Sequence, residues 1–120
     1  MDEYKITFFY DPDTKKVPVR EYMENLTPKE QTKITKYIDF LQENKGVLDE
    51  PYTKHIRDKL RELRVDFGKN RHRIFFFTFV GKNIILLHAF LKQSPQTPES
   101  EITKALNNYY KIINNPHLYE

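Results

Sequence analysis

The sequence predicts an α+β domain, a small antiparallel sheet with helices packed on it, and three observations predict it. Three runs of β-formers follow one another between residues 62 and 91, separated only by Gly68-Lys69-Asn70 and Gly81-Lys82-Asn83, the pattern of a meander. Three other segments repeat apolar residues at helical spacing, two of them opened by Thr-Pro. With 120 residues, 38% hydrophobic and 31% charged, the chain has material for one globular domain over 1–120.

Residues 3–10, EYKITFFY, form a first strand that ends at the turn Asp11-Pro12-Asp13. Val19, Tyr22, Met23 and Leu26 follow the i, i+3, i+4, i+7 spacing of a short helix over 18–26. Thr27-Pro28-Lys29-Glu30 is a capping box, with Thr27 as N-cap and Glu30 three residues on. Behind it Ile34, Tyr37, Ile38 and Leu41 make one apolar face, and Gly46 is a natural stop. Residues 49–51 then read as a linker.

Leu63, Val65 and Phe67 alternate with Glu62, Arg64 and Asp66, a half-buried strand. From Arg71 to Val80, Phe75, Phe77 and Phe79 share one face and Ile74, Phe76 and Val80 the other, as in a central strand. Residues 84–91 are again apolar on both faces. Thr97-Pro98-Glu99 opens the last helix, with Thr97 as its N-cap and Ile102, Ala105, Leu106, Tyr109 and Ile113 as its stripe. The order is β-α-α-β-β-β-α, and the helices are expected on one face of the sheet.

Several chemistries are missing. The chain has no cysteine, which excludes a disulfide framework and thiolate zinc. His55, His72, His88 and His117 show no metal-ligand spacing, so no metal and no cofactor are expected. Three glycines build no phosphate loop. The acidic start MDEYKITFFYD does not resemble a signal peptide, and no run approaches about twenty apolar residues. A soluble cytoplasmic protein that does not enter a membrane is expected.

What remains is charge. Residues 54–73 hold eight basic side chains against three acids, a net of +5 in a chain of +3, and five of its six arginines. Arginine grips phosphate oxygens through a planar fork, whereas lysine is a point charge whose pKa can move. Together they can neutralise a phosphoryl transition state, and RNA supplies its own nucleophile, the 2′-OH.

Alternation places Arg64 with Glu62 and Asp66, Arg71 and Arg73 with Phe75, and His88 with Lys92. Arg64, Arg73 and Lys92 would then converge across three adjacent strands if the registers allow. Several of the basic residues have a plainer reading: Arg64 paired with Glu62 or Asp66, Lys92 at a strand end for solubility, Arg57 and Arg61 as solvated charge. His88, amid Ile, Leu and Phe, reads as a core histidine, and Phe75–Phe79 as core rather than a base-stacking platform.

These stretches resemble the HigB-type toxins of the RelE/ParE superfamily, in the subgroup of phage-derived proteins. The resemblance is carried by Glu62-Leu63-Arg64, by Arg73-Ile74-Phe75-Phe76, by Leu86-Leu87-His88-Ala89-Phe90-Leu91-Lys92, and by Thr97-Pro98 through Ile102 and Ala105. It is close over about residues 50–110 and rests on element order before that. It implies the microbial-RNase fold and a type II toxin: a metal-independent, ribosome-dependent mRNA endoribonuclease that inhibits translation, held inactive by a HigA-like helix-turn-helix antitoxin.

Arg64, Arg73 and Lys92 take the catalytic places by resemblance, with Lys54, His55, Arg57, Lys59, Arg61 and Arg71 binding RNA. Some relatives carry a tyrosine shortly after the position of Lys92, where this chain has Gln93-Ser94-Pro95, so the general base stays open between Lys92 and His55. Two rivals also stay open: a ParE-like, non-enzymatic inhibitor of DNA gyrase, and a non-catalytic RNA-binding module.

Overall fold

The computed structural model describes residues 3–119; Met1, Asp2 and Glu120, counted in the domain expected over 1–120, lie outside the described residues. The elements run β1 (Lys5–Phe8), α1 (Pro18–Glu24), α2 (Pro28–Glu43), β2 (Thr53–Arg57), β3 (Leu60–Phe67), β4 (Asn70–Phe79), β5 (Asn83–Lys92) and α3 (Glu99–Asn114), closed by a 3₁₀ turn, Pro116–Leu118. Among the described residues these strands make a five-stranded sheet in the order β1-β5-β4-β3-β2. β2 to β5 pair antiparallel, and β1 lies parallel to β5, with Ile6 opposite Ile84 and Phe8 opposite Leu86.

The α+β class and the element order hold, with one strand more than the sequence suggested. No strand is expected over 53–57 from the sequence, because Thr53-Lys54-His55-Ile56-Arg57 has only one apolar residue. β2 is an edge strand, where charged side chains suit an unpaired outer rim.

The helices do not share one face. α1 and α2 bury Val19, Ile34, Ile38 and Leu41 against Leu63, Val65, Ile74, Phe76, Ile84 and Leu86. On the other face α3 buries Ile102, Ala105 and Ile112 against Phe75, Phe77, Phe79, Leu87 and Phe90. The physical cause is that β4 and β5 carry large apolar residues at both parities, so each face needs a cover. Val80, expected on the α1/α2 face, instead lies in the β4–β5 turn with φ 37° and is 68% exposed. The turn is one residue earlier than expected, and Asn83 is a buried strand residue whose Nδ2 donates to the Tyr119 carbonyl at 3.0 Å.

The capping box at the start of α2 forms, the Glu30 N–H donating to Thr27 Oγ1 at 3.3 Å. At the other end the Gly46 N–H bonds Leu41 O at 2.9 Å and the Lys45 N–H bonds Gln42 O at 3.0 Å, so Lys45 and Gly46 stop the helix together. Both have positive φ, 59° and 78°. The expected N-cap of α3 does not form: Pro98 holds that position and no side chain caps the helix.

Candidate functional site

The site begins with strand register. Arg64 on β3 stands directly opposite Arg73 on β4, and on the same face Glu62 is opposite Phe75 and Asp66 opposite Arg71. Like charges directly opposed on a sheet destabilise it unless something offsets them. Here Glu62 does: its carboxylate is fully buried, with Oε1 3.6 Å from Arg64 Nε and 3.8 Å from Arg73 Nε. These three atoms make no hydrogen bond and hold each other at ion-pair distance.

The other oxygen of Glu62 accepts from Thr97 Oγ1 at 3.0 Å. The hydroxyl expected to cap α3 therefore reaches across the α3 face and anchors the carboxylate under the arginines. Arg73, almost wholly buried, also donates through Nη1 to Asp66 Oδ1 at 2.8 Å and to the His72 carbonyl at 3.0 Å. Burial alone would raise the Asp66 carboxyl; the hydrogen bond and charge of Arg73, with Arg71 and Arg64, hold it below the usual range.

Lys92 reaches this face through an irregularity. Phe75 pairs with His88 but Phe76 with Leu86, so Leu87 is an extra residue and the alternation of β5 switches there. Without that bulge Lys92 would share the face of Ile84 and Leu86, against α1 and α2. With it, Lys92 lies opposite Arg71 on the α3 face. Burial pushes its ammonium below the ordinary lysine range; Glu62 pulls the other way, and Arg73, Arg64 and Lys54 add to the depression.

β2 stops pairing at Thr53, opposite Leu63, so the far half of β3 runs on as an edge. A cleft of about 520 Å³ opens there, lined by Arg64, Asp66, Arg71, Arg73 and Lys92 from the sheet, Lys33 and Tyr37 from α2, and Pro51, Tyr52 and Pro95 from loops. Arg64, Arg73 and Lys92 thus line one cleft, Lys92 only because of the bulge at Leu87.

The remaining basic residues divide. Lys54 pairs with Glu62 on the cluster's face. His55 and Arg61 pair with each other on the opposite face, where Arg61 Nη2 donates to Thr53 Oγ1 at 3.0 Å. The His55 Nε2 lies 2.6 Å from the Asp58 carbonyl and serves the β2–β3 turn, away from the cleft. Arg57 is held by Glu99 of α3 at 2.7 Å, and Lys59 is exposed in the turn.

His88 packs beside the Phe75–Phe90 pair, its ring centroid 6.3 Å from each, and its Nε2 lies 2.7 Å from Glu101. Burial holds it below the ordinary histidine range despite Glu101. The expected core role fits.

Behind the cluster, His72 is buried between Tyr22 of α1 and Glu30 of α2, each 2.7 Å from a ring nitrogen. Asn70 also donates to Glu30, at 3.0 Å. Hydrogen bonds from Asn70, His72 and Thr27 hold the Glu30 carboxyl down at about 2, while burial and the charge of Glu30 push the Tyr22 phenol up to about 12. This network ties both helices to the residue next to Arg73.

Sequence reasoning missed Lys33, Tyr52 and Thr97 as site residues; Tyr37, read on the apolar face of α2, packs against that core and also lines the cleft. A hydroxyl in a capping pattern gives no sign that it will be used elsewhere, and Tyr52 lies in a loop with no periodicity. Chemically, the cleft offers two opposed guanidinium groups, a lysine with a lowered pKa and a buried counter-charge. Guanidinium and ammonium groups so placed can hold an anion through charge-assisted hydrogen bonds. Among the described residues, no group of three or more His, Asp or Glu is placed to hold a metal ion, and no helix is long and apolar enough to cross a membrane.

Residues 21–110, three quarters of the chain, match the family described as phage derived protein Gp49-like (DUF891). No curated protein matches the chain.

Proposed function

Because the chain belongs to the Gp49-like family of phage-derived proteins, associated in general with the toxins of toxin–antitoxin pairs, we propose that it is such a toxin, of the HigB type. In this reading it is a metal-independent endoribonuclease that cuts mRNA on the ribosome, and a HigA-like antitoxin restrains it. The observation that carries the proposal is the opposition of Arg64 and Arg73 at a cleft shared with Lys92.

The two guanidinium groups bind the non-bridging oxygens of one phosphate and stabilise the charge that builds up on them in the transition state. A base takes the 2′-OH proton, the 2′-oxygen bonds to phosphorus, and the bond to the 5′-oxygen breaks as that oxygen takes a proton. The products are a 2′,3′-cyclic phosphate and a 5′-OH end. Lys92 is the better base: its pKa is lowered and it lines the cleft, whereas His55 faces away. Lys54 and Arg71 bind the flanking backbone, and Arg57, Lys59, Arg61 and His55 form an electrostatic approach at the β2–β3 end.

The test is a reconstituted translation reaction read by primer extension. Wild type is expected to cut the message and Arg73→Ala to leave it intact. Uncut messages with arrested replication would support a ParE-like gyrase inhibitor instead. Salt-dependent RNA binding without cutting or growth arrest would support a plain binding module. An acidic antitoxin segment is expected to cover the basic face, so reversing Arg57, Lys59 and Arg61 to glutamate should weaken inhibition.

A further inference from the structure

We infer that the Tyr52 ring is a stacking seat for a nucleobase of the RNA whose phosphate Arg64 and Arg73 hold. The inference rests on the ribonuclease reading and adds to it a subsite for the base. Tyr52 belongs to neither hydrophobic core and is 41% exposed on the wall of the cleft. Its ring does not close off the interior, since Phe40 beneath it is itself 40% exposed.

The ring is nevertheless held firmly. It meets Phe40 edge to face, with centroids 5.5 Å apart at 80°, and leans on Tyr37 at 6.2 Å. Its backbone is pinned from both sides: the Arg64 N–H donates to the Tyr52 carbonyl at 2.8 Å, and the Tyr52 N–H donates to Asp49 O at 3.0 Å. The hydroxyl of the next residue, Thr53, is bonded to the Leu48 carbonyl. The ring is thus positioned relative to the very residue that supplies one of the phosphate-binding guanidinium groups, so little ordering is left to do on binding.

Single-stranded nucleic acid is bound by a cationic track beside aromatic faces on which bases stack. The cleft has both: Arg64, Arg73 and Lys92 on the sheet side, Tyr52 and Tyr37 on the other, with Lys33 Nζ 5.9 Å from the Tyr37 ring centroid. A phosphate seated at the arginines would share this cleft with the Tyr52 ring.

The experiment uses ribosomes programmed with messages that carry, at each A-site position in turn, the natural base or an abasic nucleotide. Single-turnover cutting is measured for wild type, Tyr52→Phe, Tyr52→Trp and Tyr52→Leu. Loss of the stack is expected to slow cutting roughly 5- to 150-fold. One abasic position should slow wild type by such a factor. Tyr52→Leu should be slow on the intact message and indifferent to that abasic position, while Tyr52→Phe and Tyr52→Trp keep wild-type behaviour.

Wild-type rates for Tyr52→Leu, or an abasic penalty that persists in it, would overturn the subsite and leave the ribonuclease standing. Tyr52→Phe as slow as Tyr52→Leu would also overturn it, by assigning the work to the hydroxyl. Retained cutting with lost inhibition by the antitoxin would make the ring a protein contact instead. If Tyr52→Leu does not fold, slow cutting by the folded Tyr52→Trp with no abasic-sensitive position in wild type overturns the proposal. Wild type that cuts no message removes the ribonuclease reading, and the subsite with it.

Discussion

Replacing Glu62 by glutamine keeps the shape of the side chain and removes the buried charge that lies within ion-pair distance of both arginines. The two Nε contacts, at 3.6 and 3.8 Å, are each worth roughly 4–5 kcal/mol at an effective dielectric of about 20, before the cost of burying the carboxylate is subtracted. Removing one partner of a buried pair costs about 3–5 kcal/mol, because the other charge stays behind unpaired. Two features lower that figure here: Arg64 is a quarter exposed, and Arg73 keeps Asp66 at 2.8 Å. A loss of about 2–4 kcal/mol is expected for Glu62→Gln, or roughly 8–16 °C in melting temperature for a domain of this size. Thermal unfolding followed by circular dichroism measures it. Adding Arg64→Gln should restore part of the loss by removing the opposed charge. A melting temperature that is unchanged or raised in Glu62→Gln would falsify the claim that this carboxylate holds the arginine pair.

Lys92→Gln is expected to abolish growth arrest yet raise the melting temperature. The folded state disfavours the charged amine, and that penalty, full below its lowered pKa, disappears as the pH rises to 10.5. If Lys92 is the base, single-turnover cutting climbs with pH and levels off below 10.5; a flat profile refutes the assignment. The Tyr22–His72–Glu30 network should give two pH limits. The stability from Glu30 is complete above 4.5 and disappears as the pH falls to about 2, and that from Tyr22 disappears as the pH rises from 10 to about 12. Glu30→Gln should flatten the acid limit and Tyr22→Phe the alkaline one, both visible in melting temperature against pH. Thr97→Val should cost about 1 kcal/mol through its lost bond to Glu62 and leave the helical signal of α3 unchanged. Fraying of that helix would return Thr97 to the capping role.

The fold class was legible in the sequence because both helical and strand periods are strong where both faces are buried. Phe75, Phe77 and Phe79 against Ile74 and Phe76 announced a central strand, and Thr27-Pro28-Lys29-Glu30 announced the start of α2. β2 was not legible, since an edge strand needs only one neighbour and can be written in charged residues. The division of helices between two faces was also hidden: each helix shows an apolar stripe but not which side of the sheet it meets.

The same contrast holds for the site. By itself the sequence determined that Arg64 and Arg73 sit near buried aromatic strands, that Lys92 shares the parity of His88, and that cationic charge gathers over 54–73. Side-chain alternation is a local property of the backbone, so it can be read without a fold. Whether Lys92 meets the arginines was decided by one extra residue, Leu87, which turns the end of β5 onto their face. Whether two opposed arginines can coexist was decided by a buried Glu62 and a threonine 35 positions away. Those depend on pairing between segments distant along the chain, and no local pattern encodes them.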